Sequence, residues 1–395
     1  MHRQQKNKAV DNQVRQQYLR TNASVIMPGV LLPHFRAAAL VTASAVSRLD
    51  AWIDYNGDGV FSAAEQIADD LELAVGQTRL EWVVPLSAAA NVLTTARFRL
   101  STQGNLDPTG VAGNGEVEDY SVMVSRPAPG DIGIYPDPLD PGGTDQILVM
   151  AGTTGNDEFV VDPAVGGLLR IRINANTYRP AVPSADIDRF GAFGLQGNDI
   201  IDLDGSFSQA SELYGDQGGD TITGTGGEDF IQGNTGNDNI FGNGGDDLLF
   251  GNSGNDKVVG NDGDDVISGG SGDDRLFGHR GDDVILGGSG ADQIWGQSGG
   301  DLLVGNTSIF DNDYMALERI LDEWASANSY AMRMSNINNG TGAFLNGTGV
   351  MLMTGVTVMD DGERDRYYGG TDRDGFISLL GADTISDLAA DELVL

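Results

Sequence analysis

Residues 242–260 read GNGGDDLLFGNSGNDKVVG, one nine-residue phrase given twice. Written as G-x-x-G-x-D-x-U-x, with U an aliphatic residue, the phrase runs without a gap from Gly215 to Val304 in ten copies. Its aspartates are Asp220, Asp229, Asp238, Asp247, Asp256, Asp265, Asp274, Asp283, Asp292 and Asp301. Two positions beyond each stands Ile, Leu or Val, from Ile222 to Leu303. Glycine and aspartate both disfavour regular helix and strand interiors, so their fixed spacing needs a structural reason.

The spacing supplies one. Glycines permit the positive φ of tight turns, and after six turn residues x-U-x is long enough only for a very short strand with one side chain facing inward. A nine-residue unit that buries a single aliphatic group cannot be stable alone, so neighbours must stack into a solenoid with two copies per 18-residue coil. Aspartates of alternate copies then lie about 4.8 Å apart in two rows. Such rows repel unless cations sit between them. Carboxylates and turn carbonyls form a hard oxygen shell that suits Ca²⁺ better than Mg²⁺ or zinc. Residues 215–304 hold 17 acids and 3 bases, so without metal the segment is expected to be largely unfolded.

The phrase GGxGxDxUx is that of the RTX, or haemolysin-type, calcium-binding family, which residues 214–305 resemble. The second glycine of the motif is kept only at Gly270 and Gly288. The resemblance implies a parallel β-roll with several Ca²⁺ ions, each between turns one coil apart and held by both aspartates and by main-chain carbonyls. Two earlier fragments, GTTGND (152–157) and GLQGND (194–199), fit the phrase in isolation. They are expected to mark turns of a β segment, 145–213, that leads into the roll.

A second period lies one place after each aspartate. Odd copies carry Thr221, Asn239, Lys257, Arg275 and Gln293, whereas even copies carry Phe230, Leu248, Val266, Val284 and Leu302. One outer face is polar and the other apolar, and an exposed apolar stripe marks a covered surface. The chain's own C-terminal part is the expected cover.

Composition bounds the rest. The 395 residues carry 23 bases and 58 acids, a net charge of −35, which disfavours nucleic acid and anionic lipid as partners. There is no cysteine, so neither disulfides nor thiolate metal sites exist. No apolar run has membrane-spanning length, because the stretch 23–46 is broken by Pro28, Pro33, His34 and Arg36. Basic residues 1–20 followed by that stretch, with A-x-A at Ala43 and Ala45, have the outward form of a signal peptide. The preferred reading is a disordered leader, 1–22, before the first strands of a β domain.

Within that domain, residues 54–65, DYNGDGVFSAAE, fit a calcium loop at Asp54, Asn56, Asp58 and Glu65. The preceding residues 41–53 are β-branched and partly alternating, which predicts a strand where an EF-hand would need a helix. With GEVEDY at 115–120, residues 23–126 resemble the GEVED domain, which implies a β-sandwich-like fold. A linker is expected over 127–144. Beyond the repeats, 306–395 reads as a small α/β cap with a helix over about 313–327, where Leu317, Ile320, Leu321 and Trp324 recur at helical spacing. The stretch YYGGTDRDGFI (367–377) echoes the repeat, with Asp372 or Asp374 as extra ligands. The ending ADELVL resembles the C-terminus of type I secretion substrates, and the whole order of parts resembles large secreted or surface proteins of Planctomycetes.

Catalytic signatures are absent. The three histidines, His2, His34 and His279, form no H-E-x-x-H, and no Walker-type G-K-[ST] occurs. GQSGG (296–300) matches G-x-S-x-G, but its glycines already belong to the repeat. The expectation is an all-β, secreted or cell-surface, non-catalytic protein that folds on binding calcium and meets a cell-surface or glycan partner. The competing reading is a remnant or accessory part of a secreted hydrolase or polysaccharide-acting enzyme, with Phe241, Phe277 and Trp295 as a sugar platform.

Overall fold

The computed structural model describes residues 24–85, 87–89, 91–110, 115–178, 183–341, 345, 351–352, 358–359, 364–370, 373–377, 383–386 and 393–394. The expected leader 1–22 lies outside them. Two compact units result: one runs to Arg126 and takes in Ile134–Gln146, and the other comprises Pro127–Gly133 and the chain from Ile147 onward.

The first unit packs two antiparallel sheets on one core. Three strands, Ser24–Ile26, Arg36–Ala43 and Gly76–Val83, form one sheet. The other holds Val30–Leu31, Glu116–Val124, Val92–Ser101, Ser47–Ile53 and Gln66–Leu73. The apolar stretch that has the form of a signal peptide is thus the strand Arg36–Ala43, whose Ala37, Ala39 and Val41 share the core with Leu49, Ala51, Phe98 and Val122. Part of the stretch read as a linker is structured and tied to this unit: Ala38 N donates to Pro138 O at 2.9 Å, and an Arg79 Nη to Leu139 O at 2.8 Å. These bonds satisfy polar groups that a free tether would leave to water.

The second unit is a two-sided roll. Two sheets of eleven strands each face one another, and within the repeats every strand pairs in parallel with the strand 18 residues on, as Ile240 pairs with Val258 and Ile231 with Leu249. The aliphatic position of every copy is fully buried, so the core is a single file of Ile, Leu and Val from each sheet. The segment 145–213 supplies wider coils of the same roll. Its strands Gln146–Ala151 and Arg189–Phe193 continue one sheet, and Glu158–Ala164 and Ile200–Leu203 the other. Antiparallel strands Leu168–Ile173 and Asn176–Tyr178 finish that sheet's edge.

After Val304 the chain leaves the roll for two helices, α1 (Tyr314–Trp324) and α2 (Tyr330–Asn339). Asp313 caps α1, accepting Ala316 N at 3.1 Å. The apolar face of the even copies is covered as expected: Val266, Val284 and Leu302 are fully buried, Tyr314 meets the Phe230 ring edge-on at 5.4 Å, and Ser268 Oγ donates to Asp311 O at 2.9 Å. The chain then returns to the roll, where Arg366–Gly370 pairs with Gln293–Ser298 and Gly375–Ile377 with Leu302–Val304.

Candidate metal centre

Each repeat turn is shaped by two kinds of left-handed residue. The fourth-place glycine has a φ between 101° and 139° from Gly218 to Gly299 among the copies with positive φ there, and a Cβ on Gly236 would lie 1.6 Å from Gly218 O in the next coil. The residue after the first glycine is also left-handed: Asn234 (74°), Asn243 (83°), Asn252 (74°) and Asn261 (84°). Asparagine and aspartate tolerate that region better than other side chains, which explains how the motif's second glycine can be replaced.

The aspartate carboxylates fold back over these turns. A Cβ on Gly215, Gly242 or Gly269 would sit 2.1–2.4 Å from Oδ2 of Asp220, Asp247 or Asp274, so the first glycine makes room for the carboxylate of its own repeat. The other oxygen, Oδ1, accepts the backbone N–H of the aspartate one coil earlier. In the odd row Asp220 N donates to Asp238 Oδ1 at 2.7 Å, and the pattern continues through Asp256, Asp274 and Asp292. In the even row Asp229, Asp247, Asp265, Asp283 and Asp301 are linked in the same way at 2.8–3.1 Å. A counter-running ladder lies one residue before, where Asn255 N donates to Asn237 Oδ1 and Asp264 N to Asp246 Oδ1.

These ladders satisfy Oδ1 and leave Oδ2. The Oδ2 atoms of Asp220, Asp238, Asp247, Asp256, Asp265, Asp274, Asp283 and Asp301 are buried with no hydrogen-bond partner. An uncompensated buried carboxylate is costly, so it either takes a proton or meets a cation. Burial, with the charges of Asp229 and Asp265, pushes the Asp247 carboxyl up to about 10. Burial, with the charge of Asp283, pushes Asp301 up to about 9, whereas in the odd row Asp220 and Asp256 rise only to about 6. The even row also carries an acid before each of three ligand candidates, at Asp246, Asp264 and Asp282, where the odd row has Asn237, Asn255 and Asp273.

Among the described residues no three Asp, Glu, His or Cys side chains converge on one point. The donor set on offer is therefore one or two carboxylates with main-chain carbonyls, all hard oxygen, which fits Ca²⁺. Bound there, the ion would supply positive charge to the orphaned Oδ2 atoms, and the residues that would hold it are the repeat aspartates.

The structure adds members to the rows. Asp157 N donates to Asp199 Oδ1 and Asp199 N to Asp220 Oδ1, both at 2.7 Å. At the other end Asp292 N donates to Asp365 Oδ1 and Asp301 N to Asp374 Oδ1, both at 2.9 Å. Of the two tail aspartates expected as extra ligands, Asp374 thus joins the even row, and Asp372 lies outside the described residues. Asp365 escapes the sequence reading because 55 residues beyond the usual 18 separate it from Asp292; its signal is the D-x-U triplet Asp365–Arg366–Tyr367.

In the first unit the loop 54–65 follows the strand Ser47–Ile53 and ends in a short 3₁₀ turn, Ala63–Glu65, with no flanking helices. Asp54 accepts Asp58 N and Gly59 N, Asp58 accepts Val60 N at 2.7 Å, and Glu65 accepts Ser62 N and Oγ at 2.8 Å. Asn56 Oδ1 accepts Asp58 N at 2.9 Å. All four expected ligands thus hold the loop's own backbone. In the GEVEDY stretch Asp119 makes a bidentate pair with Arg97 at 2.7 Å, which commits its charge away from the loop.

Fold and turns together define a parallel β-roll with cation-binding turns, preceded by a β-sandwich. Family models agree with both parts: that of the GEVED domain matches residues 48–123, and that of the RTX calcium-binding nonapeptide repeat matches 214–249, 250–285 and 277–307. No curated protein and no solved structure matches the chain. The chain carries a GEVED domain and a calcium-binding RTX roll.

Proposed function

We propose that this is a secreted or cell-surface protein without catalytic activity, whose roll folds when it meets extracellular calcium and then serves as a structural or adhesive module. The buried, unpartnered Oδ2 atoms of the repeat aspartates carry the reading, because a metal-free roll at neutral pH must either protonate them or open. The 14 residues from the loop and the repeats that the sequence singles out are the proposed calcium ligands, with the exception argued below. No helix among the described residues is long and apolar enough to cross a membrane, which is consistent with a module displayed or released whole.

The sugar-platform reading finds less support. Phe277 and Trp295 stack with centroids 4.5 Å apart and planes 2° from parallel, and Trp295 stacks on Tyr368 at 5.1 Å and 7°. The ring faces are taken by neighbouring rings, and a sugar stacks on faces, not edges. A glycan or cell-surface partner would have to be met elsewhere.

The test is calcium titration of the full chain followed by circular dichroism. A cooperative gain of β signal is expected at free Ca²⁺ on the order of 0.1–1 mM, the range of extracellular modules. Unchanged secondary structure in excess chelator at neutral pH would refute the proposal.

A further inference from the structure

Asp229 departs from the other repeat aspartates. Its Oδ2 accepts Thr225 N at 2.6 Å, and its Oδ1 takes Thr225 Oγ1 at 3.0 Å and Ser211 N at 2.7 Å. Thr225 occupies the place after the first glycine, where the other nine copies are left-handed and Thr225 is not. A β-branched residue resists positive φ, so the backbone turns its N–H toward the carboxylate and the hydroxyl follows. The same arrangement recurs at Asp157, whose Oδ2 accepts Thr153 N at 2.6 Å and Thr153 Oγ1 at 2.9 Å.

The turn 194–199 shows the opposite state although it lies outside the matched repeats. Leu195, in the same place, has a φ of 76°, and Gly197 one of 132°. A Cβ on Gly194 would lie 2.2 Å from Asp199 Oδ2, and that oxygen is buried without a partner, as in the repeats. A leucine in left-handed conformation costs roughly 1–2 kcal/mol, which the turn tolerates only if its shape is imposed by the coils around it.

We propose that the residue after the first glycine decides whether a turn takes an ion. A left-handed residue leaves Oδ2 open to calcium, whereas threonine closes the turn with its own N–H and hydroxyl. By this rule the turn 194–199 is a calcium site outside the nonapeptide array, and the turns 152–157 and 224–229 hold none. The inference rests on the calcium reading above.

Calcium equivalents retained by the full chain at fixed free Ca²⁺, counted by elemental mass spectrometry, test it. Asp199→Asn is expected to lose at least one equivalent and Asp229→Asn none, with circular dichroism confirming that both fold. Leu195→Thr, which keeps every ligand, is expected to lose the same equivalent as Asp199→Asn and guards against a misfolded aspartate variant. An unchanged count in both Asp199→Asn and Leu195→Thr, or an equal loss in Asp229→Asn, would overturn the rule. A wild-type chain that retains no calcium would instead remove the underlying reading.

Discussion

At the scale of the residue, the aspartates decide the chemistry and their environment sets the sign of its pH dependence. In the folded, metal-free roll burial raises these carboxyls from 3.8 to between about 6 and about 10. A group raised on folding stabilises the fold below its unfolded pKa and loses that contribution as pH rises through the folded value. In chelator, therefore, β structure should be fullest near pH 4 and decline between about pH 6 and 10. With calcium present the trend reverses, since protons compete for the same oxygens and acid weakens binding. Circular dichroism across pH, with and without chelator, checks both arms; a chelated roll that gains structure toward alkaline pH would contradict the assignment of burial as the cause.

These residues were legible because each is one letter at a fixed period. The closed turn at Asp229 was not, since Thr225 differs from the asparagines around it only by branching at Cβ. The ladder one place earlier, through Asn237 and Asn255, was equally hidden: Asn and Asp there read as solvated turn residues until stacking brought each to the next coil.

At the scale of the element, α1 shows what amphipathic spacing captures. Leu317, Ile320 and Trp324 are fully buried, and the Asp313 cap stands where expected, although the helix ends at Trp324 and not near 327. The helix α2 gave no comparable signal, because three asparagines dilute its periodicity. It is held by tertiary contacts: Tyr330, Met334 and Ile337 are buried, and Tyr330 Oη donates to Asp374 O at 2.5 Å. Trp324 ties the pair together, with its indole N–H on Gly300 O, the Arg333 guanidinium over its ring at 4.7 Å and Tyr330 edge-on at 5.9 Å. Trp324→Ala should cost about 3–5 kcal/mol, the range for a large buried aromatic. The expected readouts are a lower thermal midpoint at saturating calcium and stronger binding of a hydrophobic dye as Val284 and Leu302 become exposed. Wild-type dye binding would show that the helices do not cover that face.

At the scale of the whole molecule, the order of sandwich, leading segment, roll and cap was readable, since composition and period change sharply at each boundary. That the leading segment and the tail both join the roll was not, because insertions break the 18-residue step: 21 residues separate Asp199 from Asp220, and 73 separate Asp292 from Asp365. Deleting 365–395 should leave the repeats able to bind calcium but expose the edges of Gln293–Ser298 and Leu302–Val304. Light scattering is expected to show calcium-dependent association of that truncated chain and a monodisperse full-length protein; a truncated chain that stays monomeric in calcium would contradict it.

The final coil is thus borrowed from the far end of the polypeptide. A solenoid of identical steps has no intrinsic reason to stop growing, and a clipped chain would offer its last rung as a template for another molecule. The returning strands act as a stopper: they turn a repeating ribbon, capable in principle of fibre growth, into a particle of fixed length.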